Sequence, residues 1–440
     1  MTPPASAEAL CATNPTTNPS TPGHLDGSRP RTGATFAALR VPNFRVYVAG
    51  QAFANTGVWM QNIALDWLVL ELTGSPAAVG IAMALQFLPI LLLGMHGGML
   101  ADRYPKRTIL LVTQLCSAVV ASALAVLTVS GRITVPAVYV LAVLGGLVVA
   151  LDNPTRQAFV GEVVPARCVR NAIALNAATF QTTRLVGPAV ASALIATVGT
   201  GWAFAANALC CVGPTVALGF FLRTSELVRT PPPQQRKGQL RSALRHVAER
   251  PHVAWTIALV GVFGTFGLNF PVVLTATADE TFSGGASLYG LFNVVLAVGS
   301  VTGALLAGGR TGTRLRTILL LAAAFGAAQA AAALAPGLGA FLVVLVVMGA
   351  SNLAFQAIAN SSVQLWVEPA YRGRVMGLYV LVFMGGTPLG GPLVGWVTEH
   401  AGPRTGLALC GLVPLVATAA VAAAIAARPA VQRRRAPLPA

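Results

Sequence analysis

The sequence predicts an all-α membrane protein, with twelve transmembrane helices arranged as two pseudo-symmetric bundles of six. Three observations predict it. The 440-residue chain is 55% hydrophobic and only 10% charged, whereas a soluble domain carries about a quarter charged residues. A chain so apolar has too little polar surface to face water, and a lipid bilayer is its expected surrounding. Twelve stretches are long and apolar enough to cross that bilayer, and short patterns recur at half the chain length.

Residues 1–40 are rich in Pro, Thr, Ser and Ala and hold no apolar run of the signal-peptide kind, so they read as a disordered cytoplasmic tail. A membrane helix needs about 20 mostly apolar residues. Spans are expected at 46–71, 76–100, 108–130, 133–153, 171–197 and 201–222, forming an N-terminal half over 41–222. The polar stretch 223–251, with Pro231-Pro232-Pro233, reads as a cytoplasmic linker. Spans at 252–276, 286–309, 316–335, 338–361, 374–398 and 405–427 form a C-terminal half over 252–427. The last residues, 428–440, carry Arg433-Arg434-Arg435 and read as a basic cytoplasmic tail attracted to anionic lipid. Pro89, Pro188 and Pro388 fall inside spans, which a membrane bundle tolerates because neighbouring helices satisfy the freed backbone groups.

The net charge of +16 raises nucleic acid as a partner, since clustered cations release counterions from phosphates. The positions of the cations argue against it. With the N-terminus inside, 26 of the 29 Lys and Arg residues fall in the tails and inner loops, leaving Arg132 and Arg404 outside and Arg184 within a span. This is the positive-inside bias of a multi-pass protein of the cell membrane with both termini in the cytoplasm.

The internal repeat is read from three matches. Thr108-Ile109-Leu110-Leu111 recurs as Thr317-Ile318-Leu319-Leu320, and Pro42 recurs as Pro251 at the same offset. Pro165, Gly187 and Pro188 match Pro369, Gly391 and Pro392 at a second common offset. Such self-similarity suggests two related halves in the same orientation.

Between spans 2 and 3 stands Gly98-Met99-Leu100-Ala101-Asp102-Arg103-Tyr104-Pro105-Lys106-Arg107. It is similar to the G-x-L-A-D-R-x-G-R-K loop of the major facilitator superfamily, with Pro105 where a glycine is usual. The resemblance runs along nearly all of residues 41–427. Trp59-Met60-Gln61 with Leu72-Thr73-Gly74-Ser75-Pro76, Asn153-Pro154-Thr155-Arg156-Gln157, and Arg184-Leu185-Val186-Gly187-Pro188 resemble the exporter branch that includes the enterobactin exporter and many drug-efflux permeases. The resemblance implies the major facilitator fold. It also implies an inner gate in which Asp102, with Arg103 and Arg107, docks near the inner end of span 11. An acid late in span 4, matched by Asp152, would join that network. A local Asp152–Arg156 pair at i,i+4 is equally allowed.

Several chemistries are not indicated. A phosphate-binding P-loop needs Lys before Ser or Thr, but Lys106 precedes Arg107 and Lys237 precedes Gly238. Energy is therefore expected from an ion gradient or an ATPase partner. The five histidines form no H-E-x-x-H and the six cysteines no C-x-x-C. No enzyme activity, cofactor or metal is expected.

Ionisable and amide side chains inside the membrane are costly and mark functional candidates. In span 1, Gln51, Asn55, Asn62 and Asp66 fall within about 60° of one another at about 100° per residue. Such a stripe suits a polar cavity between the halves. Asp66 reads either as an interfacial carboxylate with ordinary hydration or as a proton-coupling or cation-binding group. Arg184 lies about 20 Å from the inner face at about 1.5 Å per residue, and its guanidinium keeps its charge there. Its partner is an acid such as Asp66, an anionic substrate group, or polar groups of a neighbouring helix. Gly187-Pro188 in span 5 and Gly391-Pro392 in span 11 allow close packing and bending, and the resemblance associates the span 5 motif with antiporters. Asn352, Gln356 and Asn360 in span 10 suit either substrate contact or interhelical hydrogen bonds.

The expected function is secondary export of a small amphipathic compound by proton antiport, with small-molecule substrate, protons and lipid as partners and a monomer as the working unit. Uptake by symport is the nearest rival, and a non-transporting membrane sensor a more distant one. The topology is testable in intact cells with a membrane-impermeant thiol reagent, in a variant without native cysteines. A cysteine at Arg132 is expected to label, and cysteines added at either terminus are expected to stay protected. Labelling of one terminus alone would overturn the even number of crossings.

Overall fold

The computed structural model describes residues 36–227, 239–308 and 314–434. Within its helices, side chains are described except at 95–99, 101–102, 239–243, 308, 369–370 and 428–434. Most of the predicted N-terminal tail, the middle of the linker and the end of the basic tail lie outside the described residues.

The described chain is helical, with no strand among the described residues. Its main helices are α1 (Pro42–Thr73), α2 (Pro76–Arg103), α3 (Lys106–Val129), α4 (Val135–Val163), α5 (Val169–Val198) and α6 (Thr200–Phe221). A short linker helix α7 (Gln239–Ala248) follows. The second half contains α8 (Pro251–Thr281), α9 (Gly285–Gly308), α10 (Leu315–Ala333) and α11 (Leu338–Trp366). A break at Gly386 divides the next segment into α12 (Pro369–Gly385) and α13 (Thr387–Ala401), and α14 (Pro403–Arg434) ends the described chain.

Local sequence sets the starts and stops. Proline occupies the first helical turn of α1, α2, α4 and α8, where its missing N–H has no partner to lose. Between α1 and α2, Gly74 ends one helix at φ 61°, a left-handed conformation that favours glycine. Ser75 then starts the next, its side chain accepting the Ala78 N–H at 3.1 Å. Within α8, Pro271 removes a helical hydrogen bond beside a π-turn at Phe263–Gly267, and the Asn269 amide donates to the Thr265 carbonyl at 2.6 Å.

Ten segments are long and apolar enough to cross a membrane among the described residues, against the twelve expected. Neither α1 nor α5 is among them. Both exceed the length of a span, at 32 and 30 residues, but α1 carries the Gln51-to-Asp66 stripe and α5 carries Arg170, Asn171, Asn176 and Arg184. Their polar side chains lower their hydropathy, so length without apolarity sets this pair apart.

Packing repeats between the halves. In the first, α2 lies against α4 and α3 against α6; in the second, α9 lies against α11 and α10 against α14. Across the halves, α2 meets α13 and α5 meets α9. Counting segments within each half, the second meets the fifth of the other half in both cases. This is the pairing of two pseudo-symmetric bundles.

The inter-half contacts run from the end of the bundle distal to the termini inward. Backbones touch there because side chains are missing. A Cβ on Gly80 would lie 2.2 Å from the Gly391 carbonyl oxygen, and one on Gly290 would overlap the Ser192 hydroxyl. Small residues let membrane helices approach closely. At the rim, Glu399 of α13 accepts the Ser75 hydroxyl and the Ala77 N–H. Cysteines introduced together at Ser75 and Glu399 are expected to form a disulfide under mild oxidation. Adding Gly80→Leu, which leaves no room for the α2–α13 approach, is expected to lower the yield severalfold on a gel-shift assay. An unchanged yield would refute the role assigned to this contact.

Candidate functional site

Among the described residues, four polar clusters hold most of the sequence-predicted site residues, and helix α1 contributes to three of them.

The first joins α1, α3 and α4. The Asp152 carboxylate accepts the Thr113 hydroxyl at 2.8 Å and the Arg156 Nε–H at 2.7 Å, and it also pairs with Arg156 Nη2. Arg156 Nη1 donates in turn to Gln51 Oε1 and, at 3.3 Å, to Asn55 Oδ1. The Arg156 carbonyl accepts the Tyr47 hydroxyl at 3.3 Å. Asp152 thus takes the local i,i+4 partner allowed by its spacing. One guanidinium gathers three side chains from two helices, as its planar fork of donors permits.

The second cluster surrounds the loop between α2 and α3. Arg107 donates to the Leu218 and Gly219 carbonyls at 2.7 and 2.8 Å. Those carbonyls belong to the π-turn at Ala217–Phe221, the end of α6. Lys106 pairs with Glu162 on α4, and Arg103 stands over the Tyr104 ring at 5.9 Å. The side chain of Asp102 and residue Gly98 lie outside the described side chains.

The third cluster spans the halves. Asp66 is buried, and its carboxylate accepts the hydroxyl of buried Tyr289, on α9, at 2.8 Å. The Asn293 amide donates to the Tyr289 carbonyl at 2.9 Å. Higher on α1 the remaining polar side chains turn to other neighbours: Asn62 accepts from Gln86 on α2 at 3.2 Å, and Gln61 accepts from Asn207 on α6 at 2.7 Å. The stripe on α1 is therefore divided among α4, α2 and the opposite half.

The fourth cluster is centred on Arg184, whose guanidinium lies 5.4 Å from the Trp59 ring centroid. Gly187 makes room for that ring, since a Cβ there would lie 2.5 Å from Trp59 Cβ. Pro188 is buried, and its carbonyl accepts the Ser192 hydroxyl at 2.6 Å. In the second half, Gly391 is buried against Gly80, next to half-buried Pro392.

On α11, Gln356 donates to Asn352 at 2.7 Å and Gln364 donates to Asn360 at 2.6 Å. These are bonds along one helix, and Asn352 keeps a buried amide nitrogen without a partner. No group of metal-ligating side chains occurs among the described residues.

Tyr289, Trp59 and Arg156 are the residues that spacing alone undervalues. Tyr289 stands in an apolar stretch with no motif around it, and its role follows from contact with a residue 223 positions away. Arg156 and Trp59 sit in short motifs, but only the fold sets their partners.

The family described as transmembrane secretion effector matches residues 33–437. The staphyloferrin A transporter of Staphylococcus aureus is 24% identical over 251 residues, a match spanning 56% of this chain and 62% of that protein, less than two thirds of its length. The enterobactin exporter EntS of Escherichia coli is 24% identical over 359 residues, covering 80% of this chain and 85% of that one. Among solved structures, a bacterial homologue of the human lysosomal transporter Spinster, inward-facing and unoccupied, superposes with a TM-score of 0.67 at 15% identity, over 86% of this chain and 96% of that one.

Removing one partner of a buried ion pair strands the other, at a cost of about 3–5 kcal/mol. Arg156→Ala is accordingly expected to lower the melting temperature of the detergent-solubilised protein markedly. The double variant Asp152→Asn with Arg156→Gln is expected to recover part of the loss. Equal losses in the single and double variants would dissociate the pair.

Proposed function

This chain belongs to the transmembrane secretion effector family of major facilitator transporters, and from that premise we propose that it exports a small amphipathic compound, of the drug, antibiotic or siderophore kind, in exchange for protons. Helices α1 and α5 cross the membrane with the ten apolar segments, making twelve crossings with both termini in the cytoplasm. The chain works as a monomer, and its halves rock about the central path to expose it alternately to each side.

The observation that carries this reading is the hydrogen bond from Tyr289 to Asp66. It joins α1 of one half to α9 of the other at the closed end of the bundle, so opening that end must part the two residues. A contact made in one conformation and absent in the other couples its own chemistry to the conformational equilibrium. The group so coupled is a carboxyl, able to take and release a proton. Each opening moves it from a dry interface toward water, and a transmembrane proton gradient can then bias the direction of the cycle. Similarity to the staphyloferrin A transporter and the enterobactin exporter supports a siderophore-like compound among the candidates. The inner network of Asp152, Arg156, Gln51 and Asn55 holds α1 to α4, so the two move as one body.

Accumulation of a panel of fluorescent drugs and apo-siderophores is measured in cells with and without the protein, before and after an ionophore collapses the proton gradient. Lower accumulation with the protein, lost on collapse, is expected for at least one compound. Asp66→Asn is expected to abolish that gradient dependence, while Tyr289→Phe keeps the carboxyl and alters the rate instead. Unchanged accumulation across the panel counts against export, and full gradient-driven export by Asp66→Asn removes Asp66 from the coupling step.

A further inference from the structure

We propose that Arg184 and Trp59 form an anion subsite for aryl carboxylates at the blind end of the opening between the halves. The proposal rests on the transport reading above and narrows its substrate class.

The first observation is the position of Arg184 along α5. At about 100° per residue, Ile173, Ala177, Phe180, Ala191 and Ile195 all lie within about 40° of Arg184 on the helix. Exposure along this one face changes abruptly. Ile173 is 56% exposed and Phe180 43%, while beyond Arg184 Ala191 is 0% and Ile195 9% exposed. The buried stretch is where α5 meets α9, with Ser192 against Gly290. The exposed stretch lies on the N-terminal side of Arg184. Arg184 thus stands at the boundary between the exposed and the buried stretch of this face, which places it at the closed end of the proposed opening.

A second observation is what Arg184 lacks. It takes part in none of the five ion pairs and in no hydrogen bond among the described residues. Asp66, the acid on the facing helix, is bonded to Tyr289 instead. A guanidinium stays charged at this depth, and an uncompensated charge within the membrane is costly and belongs to ion or substrate paths. Its guanidinium lies over the Trp59 ring, at 5.4 Å.

The third observation comes from that ring. The Trp59 indole N–H is buried and has no acceptor, so two donors on facing helices lack a partner. The Trp59 ring also meets Phe180 edge-on, with centroids 5.7 Å apart, forming an aromatic corner beside the cation. A carboxylate matches the guanidinium fork and accepts from more than one donor. An attached aromatic ring suits the corner, because aromatic pairs favour offset and edge contacts. The same positive charge repels cationic amphipaths.

The test uses the purified full-length protein in lipid nanodiscs at equilibrium, with no gradient, and binding is taken net of empty nanodiscs. The probes are 2-naphthoate and its neutral counterpart 2-naphthamide. The parent is expected to bind the naphthoate about tenfold more tightly, the ratio of one charge-assisted contact. Arg184→Gln is expected to bind both probes equally while keeping the amide affinity, and Arg184→Lys to keep part of the preference. A parent that does not distinguish the probes, or binds neither saturably, overturns the subsite without recourse to any variant. So does an Arg184→Gln protein that retains the preference. Because the assay has no gradient, a protein that binds the naphthoate but never moves it in the cell assay keeps the subsite and loses the export reading. Gradient-driven export with no anion preference does the reverse.

Discussion

A polar side chain inside a bilayer has no water to turn to, and this constraint organises the whole of α1. Every amide or acid along its inner face finds a protein partner: Gln51 and Asn55 take Arg156, Gln61 takes Asn207, Asn62 takes Gln86 and Asp66 takes Tyr289. The helix is thereby fixed to α4, α6 and α2 within its own half, and to α9 across the divide. Unsatisfied polar groups in hydrocarbon cost several kcal/mol each, so these bonds specify which helices are neighbours rather than adding affinity between them.

The interfaces between halves use a different principle. There the hydrophobic effect gives little preference, since lipid is as apolar as Leu, and contact depends on how closely the backbones approach. Gly80 against Gly391 and Gly290 against Ser192 bring main chains together with few interlocking side chains. In the proposed cycle these close backbone approaches would have to separate and rejoin. Asp66–Tyr289 and Ser75–Glu399 are polar contacts laid over these smooth surfaces. Polar bonds hold within each half, and small residues with a few polar latches operate between halves.

Arg184 departs from the pattern. The acids and amides on the inner face of α1 are matched within the protein, whereas among the described residues the Arg184 guanidinium has neither an ion pair nor a hydrogen bond and lies against the Trp59 ring. Among the described residues no acid pairs with it, and it stands where the exposed stretch of its face of α5 gives way to the buried one. The loop between α2 and α3 shows the opposite outcome. Its motif suggested a gate, and the described part of it, Lys106 and Arg107, is bonded to α4 and α6 of the same half. Those bonds tie this part of the loop to its own half.

Composition and spacing alone determined a great deal here. Low charge, long apolar runs and cations at one set of loops left no alternative to a multi-pass helical bundle, because a bilayer accepts few backbone arrangements. The loop between spans 2 and 3 and three short stretches carried the family resemblance, and the depth of Arg184 within its helix marked it as a costly group, while Asp66 stayed open between an interfacial carboxylate and a coupling group. Partnership was a tertiary decision. Periodicity placed Gln51, Asn55, Asn62 and Asp66 on one face, but it is silent about which helix that face meets, and three different neighbours turned out to share it. Nothing near Tyr289 in the chain announces a bond to a residue of the other half, and nothing near Arg184 reveals that Asp66 is already taken. A helix repeats every few residues, whereas a hydrogen bond between halves depends on how two bundles sit side by side.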